Sequence, residues 1–138
     1  QSFQAIVGTR QLDTLEQDIN ARRSIAAQLD KGFGELSDFI TVPPRSDWIK
    51  GAYHMYILRA QRRDELVEYL HSKQVDCKVH YPVPLHLQAV ASGLGYGAGD
   101  FPECEAQAGE VLSLPAHQYV SDEQVDEMVE CISTFYLA

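Results

Sequence analysis

The sequence predicts an α+β domain of two layers, in which helices cover a small, largely antiparallel sheet. Apolar residues recur at helical spacing over residues 1–31 and again after Ser121, and residues 75–81 alternate between apolar and polar. With 138 residues, 45% of them hydrophobic, the chain can form one core. We therefore expect a single domain over 1–138, with a leading helix at 1–33 and an α/β core at 52–138.

The leading segment predicts one long helix over residues 1–31, which Gly32 and Gly34 end. Its apolar stripe must be buried against the domain's own sheet or against a partner chain, and we expect both in succession along the helix. This excess of apolar surface also favours a homodimer. The stripe consists of Leu12, Leu15, Ile19, Ala26, Leu29 and Phe33.

A β-α-β stretch is predicted next. Residues 52–60 carry apolar side chains on both faces, which is typical of a central strand, and residues 64–73 have the pattern of an amphipathic helix. The alternation in residues 75–81 predicts a second strand, with Tyr81 on the apolar face and His80 on the polar face. Tyr81 is therefore predicted to lie in the core.

Further helices are predicted in the second half of the chain, at 86–91, at 103–112 and after Ser121. The last helix begins with a capping box of Ser121 and Gln124, and one of its faces is apolar. Glycines alternate at 93–99 without the spacing of a phosphate-binding motif, so this loop is expected to be a plain connection. The apolar face consists of Val125, Met128, Val129, Ile132, Phe135 and Tyr136.

Charge and composition exclude several classes of protein. The net charge of −9 argues against nucleic-acid binding, which needs Lys and Arg to neutralise phosphates. No apolar run is long enough to cross a bilayer and no signal-peptide pattern opens the sequence, so we expect a cytoplasmic location without membrane contact. Cys77, Cys104 and Cys131 lack the spacing of a disulfide framework or a zinc site, and Cys77 and Cys131 are predicted to be packing residues.

The run from Val79 to Gln88 is the most informative segment, and it reads Val-His-Tyr-Pro-Val-Pro-Leu-His-Leu-Gln. Its two prolines end the strand and place His80 and His86 on a stiff turn. No third residue with metal-ligand spacing accompanies them, so no metal site is predicted. Imidazole and phenol groups suit hydrogen bonding to polar groups of a ligand, although His86 has the alternative of bridging the turn.

This run resembles the small-domain motif His-Tyr-Pro-x-Pro-Leu-His-Leu-Gln of the DegT/StrS family, nucleotide-sugar aminotransferases that use pyridoxal phosphate (PLP). The resemblance spans residues 4 to 137, but the glycine usual between the second helix and the following strand is replaced by Gln74, so we expect a rebuilt turn there. Other segments resemble the family in the same order: Gln4-Ala5-Ile6-Val7-Gly8 with Gln11-Leu12 and Arg22-Arg23, Arg63-Asp64-Glu65-Leu66 with Tyr69-Leu70, Gly99-Asp100-Phe101-Pro102 with Glu105, and Leu112-Ser113-Leu114-Pro115.

The resemblance implies a chain that binds substrate but has no catalytic or cofactor-binding residue of its own. In the family a lysine of a larger N-terminal domain holds PLP, and nothing in this sequence resembles that domain. The four lysines also lie outside the family's cofactor-lysine context: Lys31, Lys50, Lys73 and Lys78. The chain is interpreted as the C-terminal substrate-binding and dimerisation domain of such an enzyme, inactive alone. It would pair with the missing large domain or a second subunit.

The resemblance further implies that the corner after the second strand lies over the active-site mouth and contacts a nucleotide sugar. The implied substrate-binding residues are His80, Tyr81, Pro82 and His86. A different class of function is also open at this point. The chain could be a free-standing module or gene fragment that binds a nucleotide sugar or a protein partner without catalysis.

Overall fold

A computed structural model describes residues 2–138 and confirms the α+β class. The strands form one antiparallel sheet in the order β1-β2-β3. None of the helices in this described part is long and apolar enough to cross a membrane. The helices are α1 (Ser2–Leu12), α2 (Leu15–Gly32), α3 (Arg63–Ser72), α4 (Pro102–Glu110) and α5 (Asp122–Leu137), and the strands are β1 (Ile40–Thr41), β2 (Tyr56–Ala60) and β3 (Val111–Leu114).

The leading segment is two helices, so the prediction of one continuous helix over 1–31 was wrong. Asp13 and Thr14 form a turn between α1 and α2. The Thr14 hydroxyl donates to the carbonyl of Gln11 at 3.4 Å and to the carboxylate of Asp18 at 3.2 Å, which offers the backbone an alternative to the helix. No residue of α1 is buried. Three residues of α2 are buried: Ile25, Ala26 and Leu29.

The central strand is shorter than the predicted strand at 52–60. Tyr53 has a φ of +46°, a left-handed conformation that cannot continue a strand, and β2 begins only at Tyr56. From there buried and half-buried residues alternate, with Leu58 fully buried and Ala60 nearly so. As predicted, β2 occupies the centre of the sheet, where its side chains pack between helices.

The strand predicted at residues 75–81 does not form. Residues 75–81 form only a single β-bridge, in which the N–H groups of Lys78 and Ser113 each donate to the other residue's carbonyl. Strand β2 pairs with β1 along one edge and with β3 along the other, and the first residues of β3 were expected to end the helix at 103–112. The registered pairs are Tyr56 with Leu114, Ile57 with Ser113, Leu58 with Leu112, and Arg59 with Val111.

A buried arginine explains why α4 ends where it does. Arg63 is 6% exposed, and its guanidinium donates to the carbonyls of Ala108 at 3.1 Å and Val111 at 2.8 Å. These hydrogen bonds satisfy carbonyl groups that the end of the helix leaves without partners. The backbone beyond Glu110 is therefore released into β3.

The prediction of the last helix is confirmed. Ser121 and Gln124 form the capping box, and the predicted face is buried at Val125, Met128 and Ile132 and half-buried at Val129, Phe135 and Tyr136. Helix α2 approaches this face closely, because a Cβ at Gly32 would lie 2.5 Å from a methyl group of Val129.

Two smaller predictions have different outcomes. Cys77 is buried, and burial raises the pKa of its thiol to about 11, which agrees with a packing role. Gln74 keeps the left-handed conformation that glycine would favour, with a φ of +62°, so the expected rebuilding of this turn does not occur. The backbone of Gln74 is therefore strained, because a residue with a side chain disfavours the left-handed conformation.

Candidate functional site

A cleft of about 200 Å³ lies between the proline-containing turn and α4. Two of the four residues implied to bind substrate line it, His80 and Tyr81, while Pro82 and His86 do not. The lining carries no charged side chain, and its hydrogen-bonding groups stand among aliphatic ones. The lining consists of His80, Tyr81, Val83, Pro84, Leu85, Gln88, Cys104, Gln107, Ala108 and Val111.

His80 is held by the sheet. It follows the single bridge to β3, and its Nδ1 lies 3.0 Å from the hydroxyl of Ser113, which is 6% exposed. A hydrogen bond to Nδ1 fixes the orientation of the imidazole ring and leaves Nε2 for a ligand. The half-buried ring meets the ring of Tyr81 edge to face, with centroids 5.5 Å apart.

Tyr81 is 72% exposed, so its predicted place in the core was wrong. The alternation of residues 75–81 would bury Tyr81 only if a paired strand continued that far. Pairing ends after Lys78, and the prolines then turn the chain away from the sheet. The phenol ring stands instead at the cleft beside His80, and Pro82 is exposed next to it.

His86 lies behind the cleft. Its side chain is 8% exposed, with Nε2 2.9 Å from the carboxylate of Glu105 and the ring packed on Phe101 at 4.8 Å between centroids. This geometry supports the alternative in which His86 bridges the turn. Its contact with substrate stays a prediction. The short helix predicted at 86–91 is a pair of 3-10 turns, Leu85–Leu87 and Ala89–Leu94.

Glu105 organises the glycine-rich loop. Its carboxylate accepts two hydrogen bonds from the N–H of Gly99, at 2.8 and 3.0 Å, and one from the N–H of Phe101 at 3.4 Å. The hydrogen bonds from Gly99 and His86 lower the pKa of this carboxyl group. Gly99 has a φ of +93°, which favours glycine. The amide of Gly99 therefore binds the protein's own carboxylate.

Sequence analysis assigned no role to Arg63 or Glu105, although each belongs to a segment that resembles the family. Arg63 holds Ala108 and Val111, both in the lining of the cleft, and Glu105 holds the loop that leads into α4. The sequence signal for Glu105 was its spacing from Gly99 in Gly-Asp-Phe-Pro-x-x-Glu. The contact between the two residues depends on the left-handed conformation of Gly99, which spacing alone does not reveal.

The lysines test whether these residues could hold PLP. A lysine that forms a Schiff base needs a desolvated pocket that lowers its pKa. All four lysines are exposed, and Lys78 is paired with Asp76 at 2.7 Å. Residues 2–138 therefore do not fit covalent attachment of PLP. No group of three or more metal-ligating side chains occurs in this described range either. The residues that line the cleft suit hydrogen bonding to an uncharged part of a ligand and stacking against it.

Comparisons with known proteins identify relatives of this chain. A "Pleiotropic regulatory protein" of Geobacillus stearothermophilus is 37% identical over 97% of this chain and 36% of its own length. A "dTDP-3-amino-3,4,6-trideoxy-alpha-D-glucose transaminase" of Micromonospora megalomicea is 28% identical over 94% of this chain and 35% of its own. The crystal structure of Streptomyces venezuelae DesV with a ketimine intermediate matches with a TM-score of 0.91 and 30% identity, over 96% of this chain and 35% of that one.

This chain thus spans about a third of the length of the relatives that it matches. The DegT/DnrJ/EryC1/StrS aminotransferase family model matches residues 1–133, which is nearly the whole sequence. The resemblance found in the sequence is confirmed: the chain belongs to the DegT/DnrJ/EryC1/StrS aminotransferase family, whose aminotransferases depend on PLP.

Proposed function

We propose that this chain is the C-terminal substrate-binding and dimerisation domain of a PLP-dependent aminotransferase that aminates a nucleotide-linked keto-sugar. The observation that carries the proposal is the cleft in which His80 and Tyr81 meet, at the residues that resemble the family motif. The large domain, outside the described residues, would supply PLP and its lysine. The printed name of the Micromonospora relative, a transaminase of a dTDP-linked sugar, supports the substrate class.

The cleft suits the neutral part of such a substrate. The exposed ring of Tyr81 offers a face on which a sugar or base can stack, and His80 offers a ring nitrogen held in place by Ser113. Gln88 and Gln107 add amide donors and acceptors on the two walls. These groups bind and orient a ligand, and none of them is proposed to transfer a proton.

The dimerisation part of the proposal is supported by α1. Helix α1 has no buried residue, yet it carries four exposed apolar side chains, which is a surface that a neighbouring domain or subunit would cover. We propose the missing large domain and a second subunit as its partners. The four residues are Phe3, Ile6, Val7 and Leu12.

Calorimetry on the 138-residue chain tests the binding site, with dTDP-glucose and UDP-N-acetylglucosamine as probes. We expect measurable binding that weakens about tenfold in His80→Ala, because one buried hydrogen bond is lost. The matched control is His117→Ala, since His117 is an exposed histidine outside the lining of the cleft. Equal affinities in wild type and His80→Ala would contradict the assignment of His80.

The same chain should show neither transaminase activity nor bound PLP by absorbance, because its lysines are exposed. Activity would contradict the proposed division of labour between two domains. Failure of both nucleotide sugars to bind would favour the alternative, a module that binds a protein partner.

A further inference from the structure

We infer that His86 and Glu105 form a brace that positions the two walls of the cleft, with Glu105 as the positioning residue. The inference deepens the proposed function and rests on it, because it gives two residues outside the cleft the task of holding its shape for a ligand. The brace is defined as the hydrogen bond between His86 Nε2 and Glu105 Oε1, 2.9 Å long.

The first wall is the proline-containing turn. Its lining side chains lie on both sides of His86 in the sequence, whereas the side chain of His86 does not line the cleft and is only 8% exposed. Prolines restrict φ in the turn, but they leave its position relative to α4 open. A contact between the turn and α4 must therefore set the width of the cleft. The lining residues of this wall are Val83, Pro84, Leu85 and Gln88.

The second wall is helix α4, which contributes Cys104, Gln107 and Ala108 to the lining. Glu105 lies between them in sequence but does not line the cleft, and its carboxylate, 24% exposed, accepts the hydrogen bond from His86. The brace therefore joins the two walls from behind. It leaves the face toward the ligand free.

The carboxylate of Glu105 is itself immobilised by the main chain. Three hydrogen bonds from the N–H groups of Gly99 and Phe101 hold it, and the ring of Phe101 packs on His86. A carboxylate with this many donors cannot rotate away without leaving amides unsatisfied. The loop that contains Gly99, α4 and the turn thus meet at one side chain.

A purely local role for Glu105 makes a different prediction. If it only satisfied amides at the start of α4, changes at Glu105 would disturb the loop and α4, and changes at His86 would act independently. The brace requires instead that each change moves the opposite wall. It also requires that the double variant lose no more ligand affinity than either single variant.

The test uses the 138-residue chain with Glu105→Gln, His86→Gln and the double variant. Glu105→Gln keeps the size and one acceptor oxygen, so the fold should survive, and His86→Gln tests the same link from the other wall. The matched control is Glu110→Gln, which removes a charge from the same helix on a side chain that pairs with Arg59 and does not line the cleft. Amide spectra of Val83, Leu85 and Gln88 are recorded without ligand, and the affinity for dTDP-glucose is then measured.

We expect Glu105→Gln to shift the three turn amides and to weaken dTDP-glucose binding about tenfold, as expected for one charge-assisted hydrogen bond. His86→Gln and the double variant should give the same shifts and the same loss of affinity as Glu105→Gln, and Glu110→Gln should match wild type. Unchanged turn amides in Glu105→Gln, or additive losses in the double variant, would overturn the brace. If wild type binds no nucleotide sugar, the proposed function fails, whereas the ligand-free spectra still decide whether the brace exists.

Discussion

Helices α1 and α5 both carry apolar side chains at helical spacing, yet only α5 buries them. In α5, Ile132 is fully buried, and α2 approaches closely because Gly32 lacks a side chain. In α1, Phe3 is 77% exposed and Ile6 is 64% exposed. The difference shows that periodicity indicates which face of a helix needs a partner, but not whether that partner belongs to the same domain.

The largest expected effect comes from truncating Ile132 in α5, with truncation of Ile6 in α1 as the comparison. Ile132→Ala should lower the free energy of unfolding by about 3 kcal/mol, because it leaves a cavity in the core. Ile6→Ala, the matched control on α1, should change it by less than about 0.5 kcal/mol. Urea denaturation followed by circular dichroism measures both. A loss in Ile6→Ala as large as that in Ile132→Ala would show that α1 is packed within this domain.

Alkaline pH should affect the end of α5 through Tyr136. Burial raises the pKa of this phenol to about 12, and its hydroxyl donates to the carbonyl of Gln61. Because the folded state favours the neutral phenol, this contribution to stability is complete below about pH 10 and is lost as pH rises from about 10 to 12.

Thermal unfolding of wild type and Tyr136→Phe between pH 8 and pH 12 tests this expectation. The variant should be less stable by about 1 kcal/mol near neutrality, because the hydrogen bond is absent, and should lose less stability at high pH. Parallel pH curves for the two proteins would contradict the assignment.

The smallest expected effect concerns the backbone. Gln74→Gly should raise the free energy of unfolding by about 0.5–1 kcal/mol, because glycine adopts the left-handed conformation without strain. Gly8→Ala on α1 is the counterpart: it should raise local helix content, yet leave global unfolding unchanged. Chemical denaturation and hydrogen exchange separate the two effects. A destabilised Gln74→Gly would mean that side-chain contacts of Gln74 outweigh its backbone strain.

Much of the architecture could be predicted because the signals were local. The capping box of Ser121 and Gln124 involves residues three apart, and the apolar faces of α3 and α5 follow from helical geometry. The proline-containing turn was predicted for the same reason, since proline acts on its own φ. Of the residues implied to bind substrate, His80 lines the cleft and His86 does not, and their contact with substrate stays a prediction.

Two of the errors have one physical cause. The alternation in residues 75–81 satisfied the rule for a strand, but a strand exists only where another strand pairs with it, and this segment makes a single bridge to β3. Tyr81 was placed in the core by that alternation and is exposed. The break at Asp13 and Thr14 was missed because the apolar stripe continues across it.

The amino-acid sequence alone was sufficient for the fold class, the family and the stiff corner that carries His80 and Tyr81, because short-range conformational preferences and motifs act between near neighbours. The tertiary structure alone decided that Tyr56 pairs with Leu114, that Arg63 ends α4 and that Glu105 meets His86. Those outcomes depend on contacts between residues far apart in the chain, whose energies are settled only when helices and sheet pack together.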